Sequence, residues 1–298
     1  MRIFITGASG WIGSAVTAEL LDRGHDVVGL ARNDDSAARI VAAGAIAHPG
    51  SLDDLDSLRA GASDSEGVIH LGFKHDFSDY AASGRTERAV VEALGDVLAG
   101  SGRPLLIAAG VAGIAPGRLA TELDATEHTG PDSMRGGSEH LVLSFADRGI
   151  RALSARFSPT VHGTGGDHGF VSVLAHLARQ KGFAGFVGDG ENRWPAVHRS
   201  DAARMVALGI ESAPAGTRLH AVGEEGIPTR LIAEALGASL GLPAASVSAD
   251  DAAAHFGWIG GFVGADIPAS SALTQHLLGW TPDGPTLLED IAAGAYPA

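Results

Sequence analysis

The chain of 298 residues contains no cysteine. Disulfides, thiolate nucleophiles and cysteine-based metal sites are therefore excluded. Aromatic residues make up only 5%, so the core has to pack from aliphatic side chains and alanine. Positive charge is also scarce: 21 Lys and Arg stand against 35 Asp and Glu, a formal net charge of -14. Phosphate backbones and anionic membranes are recognised by clustered cations, so neither nucleic acid nor a membrane is expected as a partner. No apolar run approaches the ~18 residues of a membrane span. The opening "MRIFITGASG" lacks the apolar stretch of a signal peptide. A cytoplasmic location is the expectation.

What is present is glycine, 42 residues of it, and a regular alternation of apolar runs with amphipathic ones. "RIFIT" (2–6), "DVVGLAR" (26–32), "GVIHLGF" (67–73), "PLLIAAG" (104–110) and "IRALSARFS" (150–158) read as strands. Helices are predicted over 14–24, 36–44, 53–61, 85–102 and 138–149. Strand–helix alternation implies an α/β fold, a doubly wound parallel Rossmann sheet. Beyond residue 158 the rhythm loosens. The expected organisation is a nucleotide-binding domain over 1–158, with a returning segment near 195–222, and a smaller substrate-binding subdomain over most of 159–298.

"ITGASGWIG" places Gly7, Gly10 and Gly13 between the first strand and first helix. Gly7 suits a tight turn, Gly10 lets a pyrophosphate approach the backbone, and Gly13 lets the helix pack close to the sheet. Ser9, Trp11 and Ile12 complete the stretch that would face the phosphates, at a helix N-terminus whose N–H groups and dipole favour an anion. The alternative is a glycine-rich turn with no ligand. An NAD site carries a carboxylate after the second strand, for the ribose hydroxyl. Here "GLARNDD" puts Arg32 and Asn33 at that end. A guanidinium suits a 2′-phosphate, so NADP(H) is preferred over NAD(H). Asp34 and Asp35 follow directly, and a merely solvated Arg32 is the competing reading.

"TGASGWIG", "VIHLGF", "RFSPTVHG" and "GDGENRWPAVHRSDAARM", in that order, resemble the extended short-chain dehydrogenase/reductases, and more closely the NAD(P)-dependent epimerase/dehydratase group. The likeness spans nearly the whole chain. It implies a cleft between the two parts, with Leu71, Gly72, Phe73 and Ala109 beside the cofactor. It also implies a Tyr and a Lys four residues apart for proton exchange, and a Ser or Thr ending the fifth strand. This chain departs at all three places: Met134 and Ser138 stand for Tyr and Lys, and Ala108 and Ala109 end the strand. Neither Met nor Ala supplies a titrating proton.

Replacement donors are sought at the carboxyl edge of the sheet. "HLGFKHDFSDY" (70–80) offers Lys74, His75 and Asp76, with Tyr80 more distant; a solvated loop is the plain alternative. The resemblance places His162 near the nicotinamide, and imidazole titrates near neutrality. His162, Asp167 and His168 match no strong metal spacing, and no metal is expected. His168 lies in a glycine-rich loop that would cover the cleft. Met134 and Ser138 would line the substrate pocket. The resemblance adds Arg193 as an anion clamp, Trp194 as a stacking surface and His198 as a wall; core packing of Trp194 and His198 is the alternative. Asp201 is expected to cap the helix that follows. The glycine-rich "HFGWIGGFVGAD" (255–266) either closes over the cleft or joins subunits, a homodimer in that case.

Three functions compete. The first is an NADP-dependent oxidoreductase acting on a small carbonyl or alcohol with a non-standard proton donor. The second is a binding protein that senses NADP(H) without turnover. The third is a lyase or isomerase that retains the cofactor.

Overall fold

The computed structural model describes residues 1–75 and 79–296. The first part alternates β1 (Arg2–Thr6), α1 (Trp11–Asp22), β2 (Asp26–Ala31), α2 (Asp34–Ala42), β3 (Ile46–Pro49), α3 (Leu55–Ser63), β4 (Gly67–His70), α4 (Tyr80–Leu98), β5 (Pro104–Gly110), α5 (Ser138–Ser144) and β6 (Arg151–Phe157). Then come β7 (Thr160–His162), α6 (Phe170–Lys181), β8 (Ala184–Val187), β9 (Arg193–His198), α7 (Arg199–Ser212), β10 (Thr217–Ala221), β11 (Glu224–Pro228), α8 (Thr229–Leu240) and β12 (Ala244–Val247). Four short helices end the chain: α9 (Ala252–Phe256), α10 (Gly260–Val263), α11 (Ala272–Leu278) and α12 (Leu287–Ala292).

β3, β2, β1, β4, β5, β6 and β10 form one seven-stranded sheet in that order, every neighbouring pair parallel. A parallel sheet covered on both faces needs continuous apolar strands. Ile3, Phe4 and Ile5 of β1 meet that requirement, all fully buried. Ile3 and Ile5 join the core that α1 and α7 cover, and Phe4 joins the opposite core under α3, α4 and α5. β10 brings the chain back to the sheet after α7, so α7 packs beside α1 on one face. From α6 onward the chain encloses a separate core around Trp194, Ile232, Phe256 and Ile291. Two small sheets support it, β11–β9–β7 and β12–β8.

β5 has the limits expected from its sequence, and β1 likewise. β3 had no counterpart in the sequence reading. Its burial is poor and it ends on a proline, as an edge strand tolerates. α4 begins at Tyr80, five residues before the expected start, because the Asp79 side chain accepts from the Ala82 N–H and caps it. The expected helix over 138–149 is two pieces, α5 and a tighter turn over Phe145–Arg148.

One buried ion pair fixes α5 to the sheet. Arg156 on β6 has a side chain with no exposure and grips Glu139 by Nε–Oε1 at 2.6 Å and Nη2–Oε2 at 3.0 Å. Ser154 Oγ also donates to Glu139 Oε1, and Arg156 Nη1 donates to the Asp124 carbonyl. Removing one partner of such a pair strands a buried charge. Arg156→Met is expected to lower the unfolding free energy by about 3–5 kcal/mol, read by urea denaturation. Arg156→Met with Glu139→Leu recovers most of that loss. A cost below about 1 kcal/mol for the single change would mean that the pair does not hold α5.

Candidate active site

The strand order reverses between β1 and β4, and the loops leaving those strands diverge in opposite directions there. Such a switch point leaves a crevice at the carboxyl edge, where ligands bind. Gly7 leaves β1 with φ +74°. A Cβ on it would lie 2.8 Å from the Gly72 nitrogen. A Cβ on Gly13 would lie 2.0 Å from the Gly7 carbonyl oxygen, so the first turn of α1 can close on the strand end only with glycine. Gly10 stands at the N-cap of α1 and supplies no side-chain cap. The first N–H groups of α1, from Trp11, Ile12 and Gly13, are thus left for a ligand. Gly10 and Ser9 border this opening.

Three side chains, those of Trp11, Arg199 and Thr6, hold the cradle in place. Trp11 Nε1 donates to the Val161 carbonyl at 2.7 Å. The Arg199 guanidinium lies 4.2 Å from the centre of the Trp11 ring and donates to Ser14 Oγ at 2.6 Å. Behind the loop, Thr6 Oγ1 accepts from the Gly72 N–H at 3.0 Å and meets His70 Nδ1 at 2.6 Å. β1, β4 and β7 are thereby coupled through the loop they share.

At the end of β2, Arg32 and Asn33 border an open hollow of about 410 Å³, with Asp34, Ala37, Pro49, Gly50, Ser51 and Asp54 around it. The Asn33 side chain accepts from the Ser36 N–H and caps α2. Arg32 is exposed at the rim.

The stretch after β4 and the stretch before α5 meet. Phe73 lies 5.3 Å from the His75 ring and 5.6 Å from the Tyr80 ring. Arg135 places its guanidinium 4.6 Å from the centre of the Phe73 ring and forms an ion pair with Glu87 of α4, Nε to Oε2 at 2.9 Å and Nη2 to Oε1. His75 titrates below the usual histidine value, through partial burial and then the Arg135 charge. Tyr80 titrates above the usual phenol value, chiefly because of burial. Ala108 and Ala109 at the end of β5 add no hydroxyl. Met134 is 57% exposed, and Ser138 is buried with its Oγ donating to the Arg135 carbonyl. Arg135 carries no signal in the sequence beyond the two glycines, Gly136 and Gly137, that follow it.

Other expected site residues lie elsewhere. Lys74 is ion-paired with Asp53, and Asp76 lies outside the described residues. His162 is fully buried, with Nδ1 donating to Asp290 Oδ2 of α12 at 2.6 Å. It ties the end of the chain to β7 and presents no surface to a substrate. His168 is exposed in the loop before α6. Arg193 is engaged by Asp266 at 3.0 and 2.9 Å and so is not an open anion clamp. Trp194 has no exposure and belongs to the second core, which corrects the stacking expectation. His198, not Asp201, caps α7, its ring accepting from the Ser200 N–H. Asp201 instead accepts from the Gly284 N–H and pairs with Arg204.

The profile of the NAD dependent epimerase/dehydratase family matches residues 3–221, and the chain belongs to that family. An uncharacterized protein of Schizosaccharomyces pombe, C2A9.02, is 46% identical over 99% of this chain and 100% of its own length. A 2-alkyl-3-oxoalkanoate reductase of Stenotrophomonas maltophilia is 26% identical over 82% of this chain and 77% of its own. Among solved structures, the dTDP-glucose 4,6-dehydratase DesIV of Streptomyces venezuelae, with NAD bound, has the same fold. Its TM-score is 0.77 at 19% identity, covering 98% of this chain and 95% of that one. Among the described residues no helix is long and apolar enough to cross a membrane.

His70 gives the site a pH signature. Burial, followed by the Arg135 charge, lowers it from the usual 6.5 to about 3. Between those values the unfolded chain binds a proton that the folded chain does not. The stability that this group contributes is complete above pH 6.5 and declines as pH falls towards 3. The slope of unfolding free energy against pH between 6 and 4 is expected to be flatter in His70→Asn, by up to about 1.4 kcal/mol per pH unit. Parallel slopes for the two proteins would show that His70 does not titrate this way.

Proposed function

We propose that this member of an NAD-dependent family is an oxidoreductase that prefers NADP(H) and acts on a small carbonyl or alcohol without a Tyr–Lys pair. The observation that carries this reading is the cradle at the β1–β4 switch. Gly7 and Gly13 stand where a Cβ would collide with backbone, and α1 opens without a side-chain cap. This geometry fits a pyrophosphate. The α1 N–H groups would hold it, with Leu71, Gly72 and Phe73 alongside. The NAD bound in the structurally similar dehydratase and the reductase activity named for a distant relative support the same reading.

The preference for a 2′-phosphate rests on Arg32. Among the described residues it is the one cation bordering the β2 hollow, against Asp34 and Asp54. When bound, the cofactor supplies or accepts a hydride; the chain has to manage the proton. Of the three donors read from the sequence, His162 is fully buried and Lys74 is turned to Asp53; we assign the role to His75, whose ring stands 5.3 Å from that of Phe73 at the crevice. Its lowered pKa keeps the imidazole neutral at pH 7. A neutral ring nitrogen accepts a proton from a substrate hydroxyl, so alcohol oxidation is the direction His75 serves best.

Calorimetric titration with NADPH and NADH tests the nucleotide assignment. Arg32→Ala is expected to weaken NADPH at least tenfold and to leave NADH within about twofold, the asymmetry of losing a charge-assisted phosphate contact. Equal losses would remove the Arg32 argument. Turnover on a mixed alcohol and carbonyl panel then separates enzyme from sensor. Oxidation that falls at least tenfold in His75→Gln supports this reading. Tight binding with no turnover replaces it with an NADP(H) sensor.

A further inference from the structure

Arg135 is the only non-glycine residue with positive φ among the described residues. It begins a run of three left-handed residues, at φ 53°, 61° and 63°, of which the next two are glycines. A third glycine would adopt this conformation at no steric cost, whereas an L-residue there costs of order 1–2 kcal/mol. A side chain is therefore retained at a position where the backbone favours none. The neighbours that receive it are specific. Gly84 of α4 lets the turn approach, since a Cβ there would lie 2.8 Å from the Gly136 nitrogen. Arg88 Nη1 donates to the Gly136 carbonyl at 2.9 Å. Glu87, whose side chain is 2% exposed, receives the guanidinium.

That grip is one-sided. A guanidinium carries five N–H donors. Glu87 takes one from Nε and one from Nη2. The Nη1 edge has no hydrogen-bond partner among the described residues, and the side chain is 27% exposed. The Phe73 ring beneath it restricts the plane of the group. Phe73 follows β4 directly after Gly72, the residue packed against Gly7. The guanidinium is thus held beside Phe73, next in the chain to the Gly72–Gly7 contact where the nucleotide cradle ends. In a chain of net charge -14, a small anion needs a local cation to stay bound, and a fixed guanidinium edge matches the two oxygens of a carboxylate.

We propose that Arg135 is the substrate-anchoring residue of this site and that the substrate carries a carboxylate, as an oxo acid or hydroxy acid does. Glu87 and Phe73 are positioning residues that hold the guanidinium in place. The placement beside a nucleotide rests on the proposed function above; the anion site rests on Arg135 itself.

The test uses the full chain, with pyruvate and acetoacetate as probes and acetone as the neutral control, followed by calorimetry with and without NADP⁺. The variant Glu87→Leu with Arg135→Met removes both charges and preserves bulk, and Arg135→Lys retains the charge without the fork. At least one of the two oxo acids is expected to bind the wild type saturably, and acetone at least tenfold more weakly. The double variant should lose that binding at least tenfold while its Tm and NADPH affinity stay at wild-type values. Arg135→Lys should recover part of it. A double variant that folds and binds the oxo acids as the wild type does would overturn the proposal. So would a wild type that binds neither acid, or that binds acetone equally well. If NADPH fails to bind while oxo acid binding still depends on Arg135, the nucleotide assignment falls and the anion site stands.

Discussion

The approach of Gly7 to Gly72 is the constraint on which the rest depends. Two parallel strands lie side by side, and their outgoing loops part at this point. A side chain at Gly7 would meet backbone 2.8 Å away, and one at Gly13 would meet the Gly7 carbonyl at 2.0 Å. With neither present, α1 begins on the strand end and aims its free N–H groups across the crevice. Trp11 then carries the effect outward, since its indole bonds to Val161 and its ring lies under Arg199. The nucleotide cradle, the edge of the sheet and the start of the second lobe are in this way one connected structure.

The same crevice departs from the Tyr–Lys pattern that the family resemblance implies. The positions read as Tyr and Lys hold an exposed Met134 and a buried Ser138. Between them the chain turns left-handed and directs a guanidinium at Phe73. In the proposed role this guanidinium orients and neutralises an anion. In the proposed function proton handling falls to His75, whose pKa is lowered by burial and then by the Arg135 charge. On that reading anion binding and proton transfer are divided between Arg135 and His75, both of which pack against Phe73.

Much of this was legible in the sequence. The apolar runs of β1 and β5 gave their limits directly, because a strand buried on both faces has no alternation to misread. The three glycines located the cradle through their spacing. β3 escaped notice since "IAHP" is short, half exposed and ended by proline. The family resemblance made Trp194 a cleft residue, with core packing as the alternative, and its burial comes from residues such as Ile227, Ile259 and Leu287, all distant along the chain. His162 showed its imidazole but not its partner, Asp290, which lies 128 residues on. Arg135 was hidden for a different reason. Nothing in "SMRGGS" marks the arginine as left-handed, although the adjoining glycines signal the turn. Only the buried Glu87 on α4 shows why the residue is an arginine.

The most direct test of the account is a fluorescence titration of the wild-type chain with NADPH, exciting tryptophan and observing the reduced nicotinamide. Trp11 stands in the first turn of α1 at the cradle, so bound NADPH should quench tryptophan emission saturably and gain sensitised emission of its own. Trp11→Phe should diminish that transfer more than Trp258→Phe. Absence of saturable quenching across the micromolar to millimolar range would contradict the cradle as a nucleotide site.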